Sequence, residues 1–377
     1  MKNHVINSIL CGFVCVCVFV LNSCNQTEVY PIHELKHQIV NDSTSHPDIY
    51  FERGAEGNKM IDIKVFNDTI FLFVIPDTED TVRFLTFYWD DGFKYLKTHY
   101  LPDEQSRVFN KSGYYSLAVI SPDSIVIAGD EHISIYCIKN NTFSEFTWQT
   151  HEYFQSQRSP IQWHNGTKKI FSEYWDFSKP ENEMGVLQSE LFAGIDIENK
   201  SLIKIPILPP ENKNVLTFNS TYHFTLTNSG LLCKHSILNE FIFYDFKKEQ
   251  TSVFEIPALN NLIDTHEESD LSSFDLLRND FMKSYIQRGL SHDSYTNNTI
   301  LFYLEPVPER DKDGKKPSPF YRGKLCYVFD SEMNIKGKIR LEADTFYPSL
   351  FFAIKNNIYL VEVRNTFINI KKISYES

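Results

Sequence analysis

The residues best suited to chemistry stand near the N-terminus, where His33-Glu34-Leu35-Lys36-His37 spells H-E-x-x-H. On a helix, two histidines four apart share one face and can hold zinc while the glutamate activates a metal-bound water. The surroundings argue against that use. The string precedes any recognisable domain, Lys36 puts a cation where such a helix buries an uncharged residue, and no long helix follows to bring a third ligand. A second set, His164, Glu173, Tyr174 and Asp176, gathers side-chain types that glycan-cleaving enzymes use, although a sequence does not fix the separation of two carboxylates. Asp311-Lys312-Asp313-Gly314 begins like a calcium loop but lacks the later oxygen ligands and the closing glutamate, so it reads as a solvated turn. Cys137, Cys233 and Cys326 show neither metal-cluster nor redox-pair spacing and read as buried thiols within strands. The expectation is therefore no catalytic residue, no metal and no cofactor.

One cysteine has a different setting. Lys2 gives a basic start, Val5 to Leu21 is mostly apolar, and Leu21-Asn22-Ser23-Cys24 follows. The apolar run is short for a membrane span and ends with cleavage-site character. The tetrapeptide resembles a bacterial lipobox, which implies cleavage after residue 23 and attachment of palmitate-type acyl chains to Cys24. Each buried methylene contributes roughly 0.8 kcal/mol, so several chains make a lasting anchor. Residues 1–23 are thus expected to be a lipoprotein signal peptide and 24–45 a polar tether.

The elements that must position any site are hairpins. In Glu240 to Pro257, two runs of aromatic and β-branched residues flank Lys247-Lys248-Glu249-Gln250, the pattern of two antiparallel strands and a polar turn. Ile242, Tyr244 and Phe246 point to one face and Phe241 and Phe243 to the other, so both faces need cover. Similar hairpins end their first strands at Trp89, Ile138, Ile197 and Phe329. The spacing is roughly fifty residues, with a longer gap before Phe329, which is the period of a four-stranded β-propeller blade. An all-β propeller over residues 46–377, with six blades, follows. Terminal strand material is expected to close the ring on the first blade. Within the long gap, Asp270 can cap a helix with Phe274, Leu277, Phe281 and Tyr285 on one face and Gly289 at its end, a helical insertion near 270–289.

The chain of 377 residues carries a net charge of −12, which argues against nucleic acid or an anionic membrane surface as partner. The lipobox-like tetrapeptide, the hairpin repeats, the helical insertion before Thr299 and Gly323-Lys-Leu-Cys-Tyr-Val-Phe-Asp-Ser-Glu-Met-Asn-Ile335 together resemble the TolB-like, six-bladed propeller lipoproteins of Bacteroidota grouped as DUF4221. That resemblance implies a lipid-anchored protein of the bacterial cell envelope, on the outer membrane, and transfers no activity and no site residue. For such bacteria, Asp followed by Ser or Thr and then an aliphatic residue or Thr resembles an O-glycosylation signal, here at Ser43, Thr69, Thr81 and Ser124. The same strings also suit a turn leading into a strand. The reading favours a non-catalytic binding or scaffold role toward a glycan, peptide or envelope protein, set against a glycan-active hydrolase or lyase built on the propeller, with Asp176, Glu173, His164 and Tyr174 as its candidates.

Overall fold

The computed structural model describes residues 32–45, 58–66, 69–76, 83–88, 94–101, 116–128, 132–147, 152–155, 161–181, 188–208, 222–235, 239–262, 282–348, 350–364 and 367–376. Among them the strands fall into six antiparallel sheets arranged as a β-propeller. In chain order the blades span 58–100, 116–147, 152–205, 222–255, 286–344 and 350–375, the last completed by His37–Ser45.

The predicted hairpins are the two outer strands of blades 1 to 5, for example Glu240–Asp245 with Gln250–Glu255 and Arg322–Phe329 with Ile335–Asp344. Their two-faced apolar pattern has the expected meaning. In blade 4, Ile242 and Tyr244 join a core shared with blade 3, whereas Phe241 and Phe243 join one shared with blade 5. The core is therefore a series of layers between neighbouring blades, and alternate residues of one strand serve different layers.

The inner strands lie side by side around the axis in the order Ser116–Ser121, Gln162–His164, Tyr222–Leu226, Ile286–Asp293 and Leu350–Ile354. They are joined by side chains. Ser116 Oγ accepts from the Ile161 amide at 2.9 Å, and Gln162 donates to Phe224 O at 3.0 Å and accepts from the Leu226 amide at 3.1 Å. Thr225 Oγ1 accepts from the His292 amide at 3.1 Å, and Ser291 Oγ from the Ala353 amide at 3.0 Å. Each bond satisfies a backbone group that would otherwise be orphaned between blades.

Three expectations are corrected. Residues 37–45 are not tether: His37–Ser45 pairs along its whole length with Phe367–Tyr375, from His37↔Tyr375 to Ser45↔Phe367. Its alternation was masked because the strand is polar and lies at the outer edge of its blade. Terminal closure consequently occurs within the last blade, where the N-terminal strand completes the sheet, and not by a C-terminal strand joining the first blade. Finally, Gly289 ends no helix. It lies in the strand Ile286–Asp293, beside a bulge, where a Cβ would meet the Phe351 ring at 2.5 Å, so the glycine allows two blades to approach. Tyr285 leads into that strand, and among the described residues of this part Met282 and Lys283 are the helical ones. Asp270, Phe274, Leu277 and Phe281 lie outside the described residues, as do residues 1–31 with Cys24. Among the described residues no helix is long and apolar enough to cross a membrane.

Candidate functional site

The two ends of the propeller differ. One, the turn face, carries short hairpin turns. Asp196 accepts from the amides of Glu198 and Asn199 at 3.0 and 2.9 Å, Asp245 from Lys247 and Lys248 at 2.9 Å each, and Asp330 from Glu332 and Asn334 at 2.9 Å each. Each turn ends with a left-handed residue, Lys200, Glu249 or Met333. The amides of Asn199 and Lys248 hold the Asp196 and Asp245 carboxyls below the usual range, and at Asp330 those of Asn334 and Glu332 outweigh a burial that would raise it.

The other end, the loop face, carries longer connections, of which 177–181, 188–191, 256–262, 282–285, 305–321 and 345–348 are described. Here charged side chains are buried. Arg322, at the start of an outer-hairpin strand, is 0% exposed and donates to Ser284 O at 3.0 Å, Glu305 O at 2.9 Å and Pro319 O at 3.1 Å. One guanidinium thus ties connections far apart in sequence to blade 5; burial lowers its pKa to about 10. Beside it, a Cβ on Gly323 would run into the Glu305 carboxylate, which accepts from Arg340 Nε at 2.8 Å.

Asp344 lies between the ammonium groups of Lys324 and Lys371 and accepts from the Phe346 amide at 3.0 Å. Burial would raise its pKa, but the hydrogen bonds and charges of the two lysines hold it below the ordinary value. Between blades 4 and 5, Lys234 is 0% exposed, donates to His235 O at 2.9 Å and lies over the rings of Phe241 and Tyr303. Burial lowers its pKa to about 7. His223 and His235 are pushed down to about 3 by burial and by neighbouring cations, which include Lys234 for both. Aromatic rings also stand at this end. Arg288 stacks on Tyr347 at 5.0 Å, Phe320 meets Tyr347 edge-on at 5.1 Å, and both Phe320 and Phe177 are about half exposed.

The structure separates the glycan-cleaving candidates. His164 pairs with Lys169 at the turn-face end of the strand Lys169–Asp176 and accepts from the Thr167 amide at 3.1 Å. Asp176 ends that strand at the loop face, roughly 23 Å away at the rise of an extended strand. Its carboxylate is held by Lys204 at 3.1 Å and by Ser178, so its pKa stays low despite burial. Glu173 and Tyr174 are consecutive and point to opposite sheet faces.

The H-E-x-x-H string is extended. Leu35 N donates to Lys338 O at 2.8 Å, Lys338 N donates to His33 O at 3.0 Å, and Leu35 packs on Gly337. Histidines four apart in such a segment are roughly 13 Å from each other and do not share a turn. Asp311 accepts from the amides of Asp313 and Lys315 at 2.9 and 2.8 Å, as a turn residue does. Among the described residues no three His, Cys, Asp or Glu side chains converge to hold a metal ion. Cys233 and Cys326 are buried and Cys137 is half-buried. Of the glycosylation candidates, Ser43 is exposed on the outermost strand of blade 6, Thr69 and Ser124 are half-buried at the first positions of their strands, and Thr81 lies outside the described residues.

Sequence reasoning missed Arg322, Lys234 and Asp344. The available signal was a charge inside an apolar strand, as in Leu231-Leu-Cys-Lys234 and Arg322-Gly-Lys-Leu-Cys326.

No protein-family profile matches the sequence, and no curated protein matches it. Among solved structures, a DUF4221 family member from Bacteroides vulgatus superposes with a TM-score of 0.63 at 12% identity, over 91% of this chain and 99% of that one. A structural-genomics protein of unknown function from Bacteroides thetaiotaomicron gives 0.43 at 10% identity over 89% and 77%. The WD40 domain of coronin from Toxoplasma gondii gives 0.43 at 8% over 92% and 88%. At this identity the likeness is one of fold, and this chain shares the propeller of the DUF4221 protein nearly end to end.

Proposed function

We propose that the protein is an exported envelope lipoprotein, anchored through Cys24 to the outer membrane, whose propeller is a rigid, non-catalytic recognition scaffold. The observation that carries this reading is the loop face: Arg322, fully buried, fastens carbonyls at Ser284, Glu305 and Pro319 to blade 5 beside half-exposed Phe320. Charge held in this way preorganises a surface, and aromatic rings at the same end suit a glycan, a peptide or another envelope protein. The docking of the N-terminal segment bears on the point of attachment. Ile32 packs on the core cluster that Met333 and Ile335 also cover, and it stands eight positions after Cys24, a reach of at most about 29 Å. A lipid on Cys24 then tethers the propeller to the membrane through blade 5 and leaves the loop face able to meet partners. Glycosylation at Ser43, Thr69, Thr81 or Ser124 belongs to the same exported setting, with Ser43 the most accessible of the three described.

Cross-linked co-purification of the full chain from membranes, beside Cys24→Ala, tests the reading. A single envelope partner enriched only with the anchored form is expected. Polysaccharide turnover by the protein, or an unlipidated Cys24 by mass spectrometry, would sink it.

A further inference from the structure

Away from the loop face, a cavity of about 430 Å³ opens between blades 1 and 2. Its apolar wall is Phe66, Phe71 and Ile138, at the edge of the core that those two blades share. Its polar wall comes from both blades: Lys97 and His99 from the outermost strand of blade 1, and Asp123 and Lys139 from the turns of blade 2. The blade 1 strand is bulged at Leu96, where Thr86 faces Lys97 and Phe87 faces Tyr95, and Thr86 Oγ1 donates to Lys97 O at 3.2 Å. A bulge re-aims the residues that follow it, and Lys97 and His99, two apart, lie on one sheet face toward the cavity.

We infer that this cavity is a binding site for a small organic monocarboxylate with a flat apolar body. The volume suits a small molecule, and apolar walls with a few convergent polar groups are the usual construction of such sites. Two ammonium groups against one carboxylate leave a single net positive charge on the wall of a protein whose net charge is −12. That balance matches a monoanion. A phosphate dianion would be repelled by Asp123 and would lack the guanidinium fork that suits it. His99, pushed down to about 4 by burial and by Lys97, is neutral at physiological pH and offers hydrogen bonding without adding charge.

The test uses benzoate as probe and the full chain in lipid nanodiscs, read by saturation-transfer NMR against empty nanodiscs. Benzoate is expected to bind with an affinity that is flat from pH 6 to 8. Benzamide, of the same shape without the charge, should bind at least about tenfold more weakly, as should benzoate to Lys97→Glu/Lys139→Glu of unchanged melting temperature. Asp123→Asn, an exposed turn substitution, should tighten benzoate binding and keeps the test open if the double variant folds poorly. No benzoate signal above the blank, equal binding of benzamide, tighter binding of phenyl phosphate, or no change in Asp123→Asn would each overturn the proposal.

Discussion

The turn face and the loop face solve the same problem, the ends of strands, by opposite means. On the turn face an aspartate accepts two amides within four residues of itself, as Asp196, Asp245 and Asp330 do, and each turn is complete in its own sequence. On the loop face Arg322 reaches 38 residues back to Ser284, and Asp344 joins Lys324 and Lys371, 20 and 27 residues away. Local caps are cheap and independent of one another. Buried long-range charges bear a desolvation cost and repay it only when every partner is in place, so they hold a particular arrangement of connections. A surface that must keep one shape for recognition calls for the second device.

The largest loss at pH 7 should come from removing the device at its centre. Arg322→Met leaves three carbonyls without their donor in a dry site and should cost about 3–4 kcal/mol in chemical denaturation. Arg322→Lys should recover little, because an ammonium cannot present separate N–H groups to three carbonyls in fixed directions. A loss under 1 kcal/mol would mean that the connections are held by other contacts and that the two faces differ less than their geometry indicates.

Lys234 sharpens the contrast through pH. Its folded pKa, about 7, lies below the ordinary 10.5, so the unfolded chain binds the proton more readily. Its burial therefore opposes folding most below pH 7, and this penalty fades as pH rises from 7 toward 10.5. Wild-type stability should climb over that window relative to Lys234→Met, by on the order of 5 kcal/mol, and the methionine variant should be no less stable at pH 7. Parallel pH profiles for the two proteins would show that the amine is solvated. Asp344 has the opposite sign. Its folded pKa is depressed, so its contribution is present above the ordinary value of 3.8 and is lost as pH falls through the folded value. Asp344→Asn should remove that acid-limb dependence and, with the site about one-third exposed and partly screened, cost about 2 kcal/mol at pH 7.

Most of the turn face was legible in the sequence, because its interactions are local. Phe241 to Phe246 and Thr251 to Ile256 announce two strands, and the polar residues between them announce the turn. The loop face was not legible, since nothing near Arg322 in the chain says that Ser284 will stand beside it. Local pattern also misled where tertiary contact decides. The spacing of Phe281, Tyr285 and Gly289 suits a helix, yet Tyr285 leads into and Gly289 lies within a strand pressed against Phe351. The polar run His37–Ser45 looks like a linker until Phe367–Tyr375 supplies its partner. The glycan-cleaving set had the reverse fault: proximity in sequence suggested a cluster, and an extended strand carried His164 and Asp176 to opposite ends of the blade.

The smallest predicted effect asks whether the turn face is as local as it looks. Glu249 sits at φ 54, a left-handed conformation that strains a side chain with a Cβ. Glycine relieves that strain but loses more freedom on folding, so Glu249→Gly should add a net of about 0.5 kcal/mol. The neighbouring Asp245→Ala, which removes the acceptor of two amides, should lower the denaturation midpoint by less than any loop-face substitution. Because these residues lie at the opposite end of the propeller from Arg322, either change combined with Arg322→Met should give additive effects. Non-additivity would mean that strain in a four-residue turn is felt across the length of a blade, and the separation of a local face from a cooperative one would fail.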